Sequence, residues 1–318
     1  MTVLDSDHTT EAVPLDERRP RWHLTALWVT LAGGFTFLFL GFQYHDASYP
    51  LSRAVAAGAL GALAYLAYAL PAAQLGATTG QTLALLTRSV LGVAGSALVT
   101  ALLVAVAAGW TAVAFNMLAS FYDGLFGWGH VALVGAVLAV LGIAANLFGF
   151  TGIAAFARYV AAPLLVVWVV ILVVKGFTTV PANLLREAPA GLTDLPFVAG
   201  IGVAIGALAW GNEPDTWRYA APRRWWPVLP YAVALAVGPV LCVAGGWMMA
   251  ELSGEGPNDV GPALRSMVEF SLFGALWLGA VVATALQVAA GNGRYYQLVN
   301  AGQNALGRVR GWHPARGR

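Results

Sequence analysis

From residue 24 onward the chain is a succession of long apolar runs separated by short polar loops. A helix needs about 20 apolar residues to cross the hydrocarbon core of a bilayer. Eight segments approach that length, at roughly 24–43, 53–75, 95–122, 130–148, 152–175, 195–219, 227–250 and 268–301. The pattern predicts an all-α integral membrane protein with about eight transmembrane helices. Two of the runs are interrupted. In the sixth, an apolar stretch from Phe197 to Trp210 is too short to span. The sequence GNEPDTWRYAAPRR (Gly211–Arg224) then brings charge, polarity and proline before the membrane should end. In the eighth, an apolar helix from Phe270 turns polar at Gln287, Asn292, Arg294, Gln297 and Asn300.

A helix that opens inside a bilayer exposes backbone groups that must be buried in protein or face water. Discontinuous helices of this kind hold substrates and ions near the midplane of secondary transporters. A continuous helix from Pro196 would reach mid-depth near Gly206, so Gly202, Gly206 and Gly211 are the expected points of opening. Asn212 suits the N-cap of a restarted helix, Glu213 and Pro214 its first turn, and Asp215 the capping-box position. Such a helix start presents free N–H groups to a polar ligand. The bland alternative is a loop helix that simply begins at Asn212, with Asp215 pairing Arg218 one turn on.

Span one offers Gly33, Gly34 and Thr36, either an unwound segment or a close helix crossing. Span three carries Trp110, Thr111 and Asn116. A mid-span indole can stack on a planar ligand, although a lone Trp in an apolar helix is more often packing. In span eight Asn292 is the better ligand candidate, because an amide both donates and accepts. Arg294 either faces the interior or snorkels to the interface.

Composition agrees with the pattern: 59% of residues are hydrophobic and 10% charged, against about a quarter charged in soluble domains. Residues 1–22 read as a polar, disordered cytoplasmic arm, 23–305 as the transmembrane domain and 306–318 as a basic cytoplasmic tail. The first apolar run is too long for a signal peptide and lacks a small-x-small cleavage site after it. Cys242 is the one cysteine, so no intrachain disulfide can form. With the N-terminus inside, the cytoplasmic segments hold twelve arginines (18, 19, 21, 88, 158, 218, 223, 224, 308, 310, 316 and 318). The outer loops hold Arg53, Lys175, Arg186 and Arg265. That asymmetry places both termini in the cytoplasm of a cell-membrane protein. It also accounts for the net charge of +2 without a nucleic-acid partner. No HExxH, CxxC, P-loop or nucleophile elbow is present and no paired carboxylates share a depth, so an enzyme is not expected.

Three stretches carry a likeness to a known family. They are TTGQTLALLTRSVLGVAGS with the following GWTAVAFNM within 78–117, NLFGFTGIAAFARYVAAPLL at 146–165, and NEPDTWRYAAP at 212–222. The last matches an Asn-x-Pro-Asp-x-x-Arg-Tyr pattern at the end of a sixth helix. The chain resembles the nucleobase–cation symporters, the permeases of cytosine, purines and hydantoins. The resemblance implies a five-plus-five inverted-repeat fold, with substrate held between helices one, three, six and eight. It implies Trp110 as a stacking ring and Asn292 beside the polar ligands of helix eight. The third-helix amide of some members aligns with Ala114, and the sixth-helix aromatic aligns near Gly206, with Trp210 one turn later. Hydroxyls that bind sodium in some members align near Ala285 and Leu286, leaving Thr284 beside them, so a proton-coupled or an uncoupled mechanism is as open as coupling to Na+. The family has about twelve spans, so eight imply an incomplete second repeat: a fragment, a truncated product, or a short form that needs a partner chain to supply the missing helices.

The expected function is a permease that imports a small planar heterocycle such as a nucleobase, hydantoin or pyrimidine vitamin precursor, by alternating access and cation-coupled. Trp110, Gly206, Trp210, Asn212 and Asn292 are the substrate candidates. Gly34, Thr36, Thr284 and Asp215 are the ion or gating candidates. No resident cofactor or metal is expected. The competing expectation is a non-transporting membrane sensor, or a truncated relative with a structural role.

Overall fold

The computed structural model describes residues 8, 11–142, 149–189, 191–209, 211 and 213–306, with side chains as far as Ala301. Trp210, Asn212 and the basic tail beyond 306 therefore lie outside the described residues. What is described is helical, and the one strand-like feature among these residues is an isolated bridge between Arg19 and Ala220.

Span one is two helices, α1 (Arg21–Ala32) and α2 (Phe35–Asp46), parted at Gly33 and Gly34. Gly34 takes φ 87° and ψ −158°, a conformation open to glycine and strained for other residues. Span two is α3 (Leu51–Thr79), closed by Gly80 in the left-handed region. The stretch after it begins α4 (Leu83–Phe126), where Thr82 Oγ1 accepts from the Leu85 amide as N-cap. The α4 helix bends at Gly92, at φ 68°, so 83–91 is a separate arm and 93–126 is span three.

Span four is α5 (Val131–Gly142), which ends at the undescribed 143–148. Span five joins α6 (Gly149–Phe156), a π-helical turn at Ala157–Ala161 and α7 (Ala162–Thr179). A short α8 (Ala182–Leu185) follows in the loop. Span six is α9 (Leu195–Leu208) and α10 (Glu213–Trp217), with α9 capped by the Asp194 carboxylate accepting from the Phe197 amide at 2.8 Å. Span seven is α11 (Val228–Leu235), a π segment at Ala236–Cys242 containing Pro239, and α12 (Val243–Ser253). Proline removes a backbone donor, and the wider π turn absorbs it.

Two expectations are corrected here. The eighth run is not one interrupted span from 268. Residues Val260–Ser271 form a separate helix, α13, and a turn with Phe273 and Gly274 at positive φ leads into an unbroken α14 (Leu276–Leu306). The polar residues that suggested an interruption are accommodated because Gln287, Asn292, Arg294, Gln297 and Asn300 are all buried against protein. In span six the helix is intact through Gly202 and Gly206. It opens at Ala209, at ψ 76°, with Gly211 at φ 71°.

Six of the spans are long and apolar enough to cross a membrane by themselves, and α5 and α9 are shorter apolar helices. The chain is a multi-pass membrane protein. Span one is its centre: 78% of its most apolar window is buried, against 17% in α4. It is seated by glycines. A Cβ on Gly238 would come within 1.6 Å of the Ala32 carbonyl oxygen, and one on Gly246 within 1.8 Å of the Leu38 carbonyl oxygen. Without hydrogens in place of side chains there, span seven could not approach the backbone of span one so closely.

The described part of the N-terminal arm is docked, not free. Val13 is buried, its amide donates to the Gly80 carbonyl at 2.9 Å, and the Arg19 amide donates to Tyr219 O at 2.6 Å. Arg18 donates to the carbonyls of Ala77 and Ala220, each at 2.7 Å. These carbonyls at helix ends lack intrahelical partners, which is what gives a guanidinium its purchase. Burial, and then the neighbouring Arg218 guanidinium, lower the Arg18 pKa from its usual value.

Candidate functional site

Three structural midpoints coincide in depth by sequence position. The break at Gly33–Gly34 divides the Arg21–Asp46 span in half, Trp110 lies midway along 93–126, and Gly206 is the central residue of the 195–217 span. A cavity of about 560 Å³ forms where these meet. It is lined by Thr36, Phe39, Leu40 and Gln43 of α2, by Trp110, Val113 and Met117 of α4, and by Val203, Gly206 and Ala207 of α9. That volume suits a small ligand, and an apolar wall with a few polar groups is the usual build of such a site.

Each wall has a local cause. Thr36, Leu40 and Gln43 recur at helical spacing on α2, which places them on one face. Trp110 is partly buried, and the Arg294 guanidinium of α14 lies 5.6 Å from the centre of its ring. A cation at that distance is attracted to the indole and restrains it. Arg294 is 2% exposed, so it faces inward. A Cβ at Gly206 would meet nothing within 4 Å. The glycine therefore leaves room in the cavity where a side chain would stand.

The structure brings together three of the residues expected at the site, Thr36, Trp110 and Gly206, and adds Gln43. Gln43 had a sequence signal, a polar residue at the i+7 position from Thr36 on an otherwise apolar face. The other candidates lie elsewhere. Asn292 is fully buried in α14 and is not among the cavity-lining residues. Thr284 shares a 2.8 Å hydrogen bond with the Tyr122 hydroxyl and donates to the Ala280 carbonyl at 2.7 Å. Gly34 forms the break below Thr36 without lining the cavity. Thr111 and Asn116 face a separate groove between α4 and α5.

Asp215 belongs to a second polar cluster, nearer the end of the bundle that carries the N-terminal arm. It is 4% exposed, accepts from the Leu83 backbone amide and lies 3.4 Å from Asn300 Nδ2. Thr100 and Gln297 are the other polar residues lining a void too small for more than about one water. One turn on, Arg218 donates to the Asp215 carbonyl, to the His8 carbonyl and to the hydroxyls of Tyr219 and Tyr296. The Tyr219 ring stacks on Phe150 with centres 3.9 Å apart. The arm, α6, α10 and α14 are thereby tied together below the cavity.

Comparison with solved structures shows the fold. The chain is similar to Mhp1, a nucleobase-cation-symport-1 family transporter solved in a closed conformation with bromovinylhydantoin bound. The two share 16% identity, the match covers 97% of this chain and 71% of that one, and the TM-score is 0.73. No family description and no curated protein matches the sequence. At that identity the likeness shows the fold alone and leaves function and cargo to be argued from the site.

Proposed function

We propose that this chain is a secondary transporter that carries a small planar heterocycle, of the nucleobase, hydantoin or pyrimidine-precursor class, into the cell with a cation. The observation that carries the reading is the mid-depth cavity itself. It lies between both broken spans and span three, with an indole, an amide and a hydroxyl on otherwise apolar walls. Trp110 stacks on the ring, and Gln43 and Thr36 hydrogen-bond its edge. An aromatic surface and amide-type donors and acceptors are the complement of a flat, NH- and C=O-edged ligand. Its architectural neighbour was solved with a hydantoin bound, which supports the same ligand class here. Movement of the bundle against the scaffold about the two breaks then opens the cavity to one side at a time.

The test is uptake of labelled hydantoins, uracil, cytosine and hypoxanthine into liposomes containing the purified chain. Saturable uptake of one of them, lost in Trp110→Ala, is expected. Uptake equal to empty liposomes for the whole panel, from protein shown to be folded, would contradict the reading.

A further inference from the structure

Glu213 begins the restarted half of span six. It is 0% exposed. Its Oε1 accepts from the Tyr65 hydroxyl at 2.7 Å and its Oε2 from the Tyr68 hydroxyl at 2.9 Å. Tyr65 is the central residue of α3, and Pro214, the next residue in the chain, packs against Gly76 three residues before the end of that helix, so the carboxyl group lies within the spanning segments, between mid-depth and the end that carries the N-terminal arm. Ionisable side chains at that depth are costly and by default functional. No arginine, lysine or histidine among the described residues comes within ion-pairing distance of Glu213.

Among the described residues, three helices besides its own place polar groups around Glu213 or its neighbour Asp215. From α3 come Tyr65 and Tyr68. From α11 comes Tyr231, which hydrogen-bonds Tyr65 and receives the Trp217 indole N–H at 3.0 Å. On its own helix, Asp215 is the one other carboxylate, and Arg218 is turned away toward the arm. The α4 helix brings its Leu83 amide to Asp215. The shell around Glu213 is thus made of hydroxyls, which can donate to a carboxylate or rotate to accept from an acid. Tyr68 is 47% exposed and links the buried group to the outside of the described helices.

We propose that Glu213 is an intramembrane proton-binding site, and that the cation accompanying the cargo is H+. This rests on the transporter reading. In the loaded form one carboxyl oxygen carries the proton and donates it to a neighbouring phenol, which turns from donor to acceptor. On release the proton passes to water and both oxygens again accept from the phenols. No other atom is exchanged. Glu213 fixes the junction that restarts span six, with Pro214 packed against Gly76 of α3, so loading changes the hold on α10, the half-helix that follows the cavity-lining α9.

The experiment has two readouts on the reconstituted chain. Infrared difference spectra between pH 5 and pH 9 are expected to show a carboxylic-acid C=O band that is absent in Glu213→Gln. Accumulation of a labelled heterocycle driven by a pH gradient is expected to fall at least 10-fold in Glu213→Gln, while exchange of labelled for unlabelled heterocycle at equal pH persists. Should Glu213→Gln fail to fold, Tyr68→Phe keeps the acid and removes one donor, and must move the pH at which the band appears. Absence of a Glu213 band, an unmoved midpoint in Tyr68→Phe, or wild-type accumulation by Glu213→Gln would overturn the proposal. A Glu213 band in protein that carries no heterocycle leaves the proton site standing and defeats the cargo reading.

Discussion

The two broken spans solve the same problem by opposite means. Span one parts at a glycine pair, and its exposed backbone is buried by close approach: the Ala32 carbonyl presses against Gly238 of span seven, and one turn into α2 the backbone at Leu38 packs on Gly246. Span six parts over a longer stretch from Ala209, and its restart is held by side-chain hydrogen bonds, with Glu213 in a nest of tyrosines and Asp215 on the Leu83 amide. At the packed break the Cys242 thiol sits on the Gly34 backbone, but no carboxylate or charged side chain among the described residues holds it. A break sealed by polar side chains can be loosened by one proton or one rotated hydroxyl. Span one is therefore the fixed half of the site, and span six the half whose hold can change.

The largest test of that contrast is at the packed break. Gly238→Val places a side chain where the Ala32 carbonyl now sits and should destabilise the protein by about 3 kcal/mol or more, since even modest overpacking costs that order. Thermal unfolding in detergent checks it, and a melting temperature like wild type would show that span seven yields easily. At the polar break, Tyr65→Phe removes one donor to Glu213 with little change in volume. A loss of about 1–3 kcal/mol is expected, the cost of leaving a buried acceptor unsatisfied, with a smaller loss for Tyr68→Phe because that phenol is half-exposed. Equal effects at both tyrosines would mean that burial does not distinguish them.

At the cavity the effects fall on binding and not on folding. Trp110→Ala should weaken a heterocycle by about 1–3 kcal/mol, the worth of one buried aromatic contact. Trp128→Ala, at the far end of α4 against Phe126 and Tyr122, should leave affinity within error in a binding titration. The smallest expected effect is that of sodium. A proton-coupled carrier should show the same heterocycle affinity in sodium and in choline buffers, and a sodium-dependent shift would point away from Glu213.

Most of the architecture was legible because membrane spans are announced by length alone, and a double glycine in mid-span marked the break at Gly33–Gly34. Of the three glycines expected to open span six, Gly211 lies in the break and the other two stay helical. Gly202 and Gly206 were read as weak points, yet glycine is tolerated inside membrane helices, and the helix opens only at Ala209. Gly206 instead vacates space in the cavity. Span eight was misread in the opposite sense: its polar residues suggested an interruption, but each is buried within an unbroken helix, and the real discontinuity is the turn at Phe273 and Gly274. Thr36, Trp110 and Gly206 could be singled out from depth and residue type. Their convergence with Gln43, and the enclosure of Glu213 by tyrosines 145 and 148 positions away, depend on helix packing that no local pattern encodes.

The central claim is that the cavity at the breaks holds a planar heterocycle, and ligand-induced thermal stabilisation tests it most directly. Purified wild type and Gly206→Leu would be melted against hydantoins, nucleobases and pyrimidine vitamin precursors. The account predicts that at least one compound raises the wild-type midpoint in proportion to the logarithm of its concentration. It also predicts that Gly206→Leu, which fills the open space above α9, abolishes that shift without lowering the ligand-free midpoint. A compound that stabilises both proteins equally would place its site elsewhere and contradict the account.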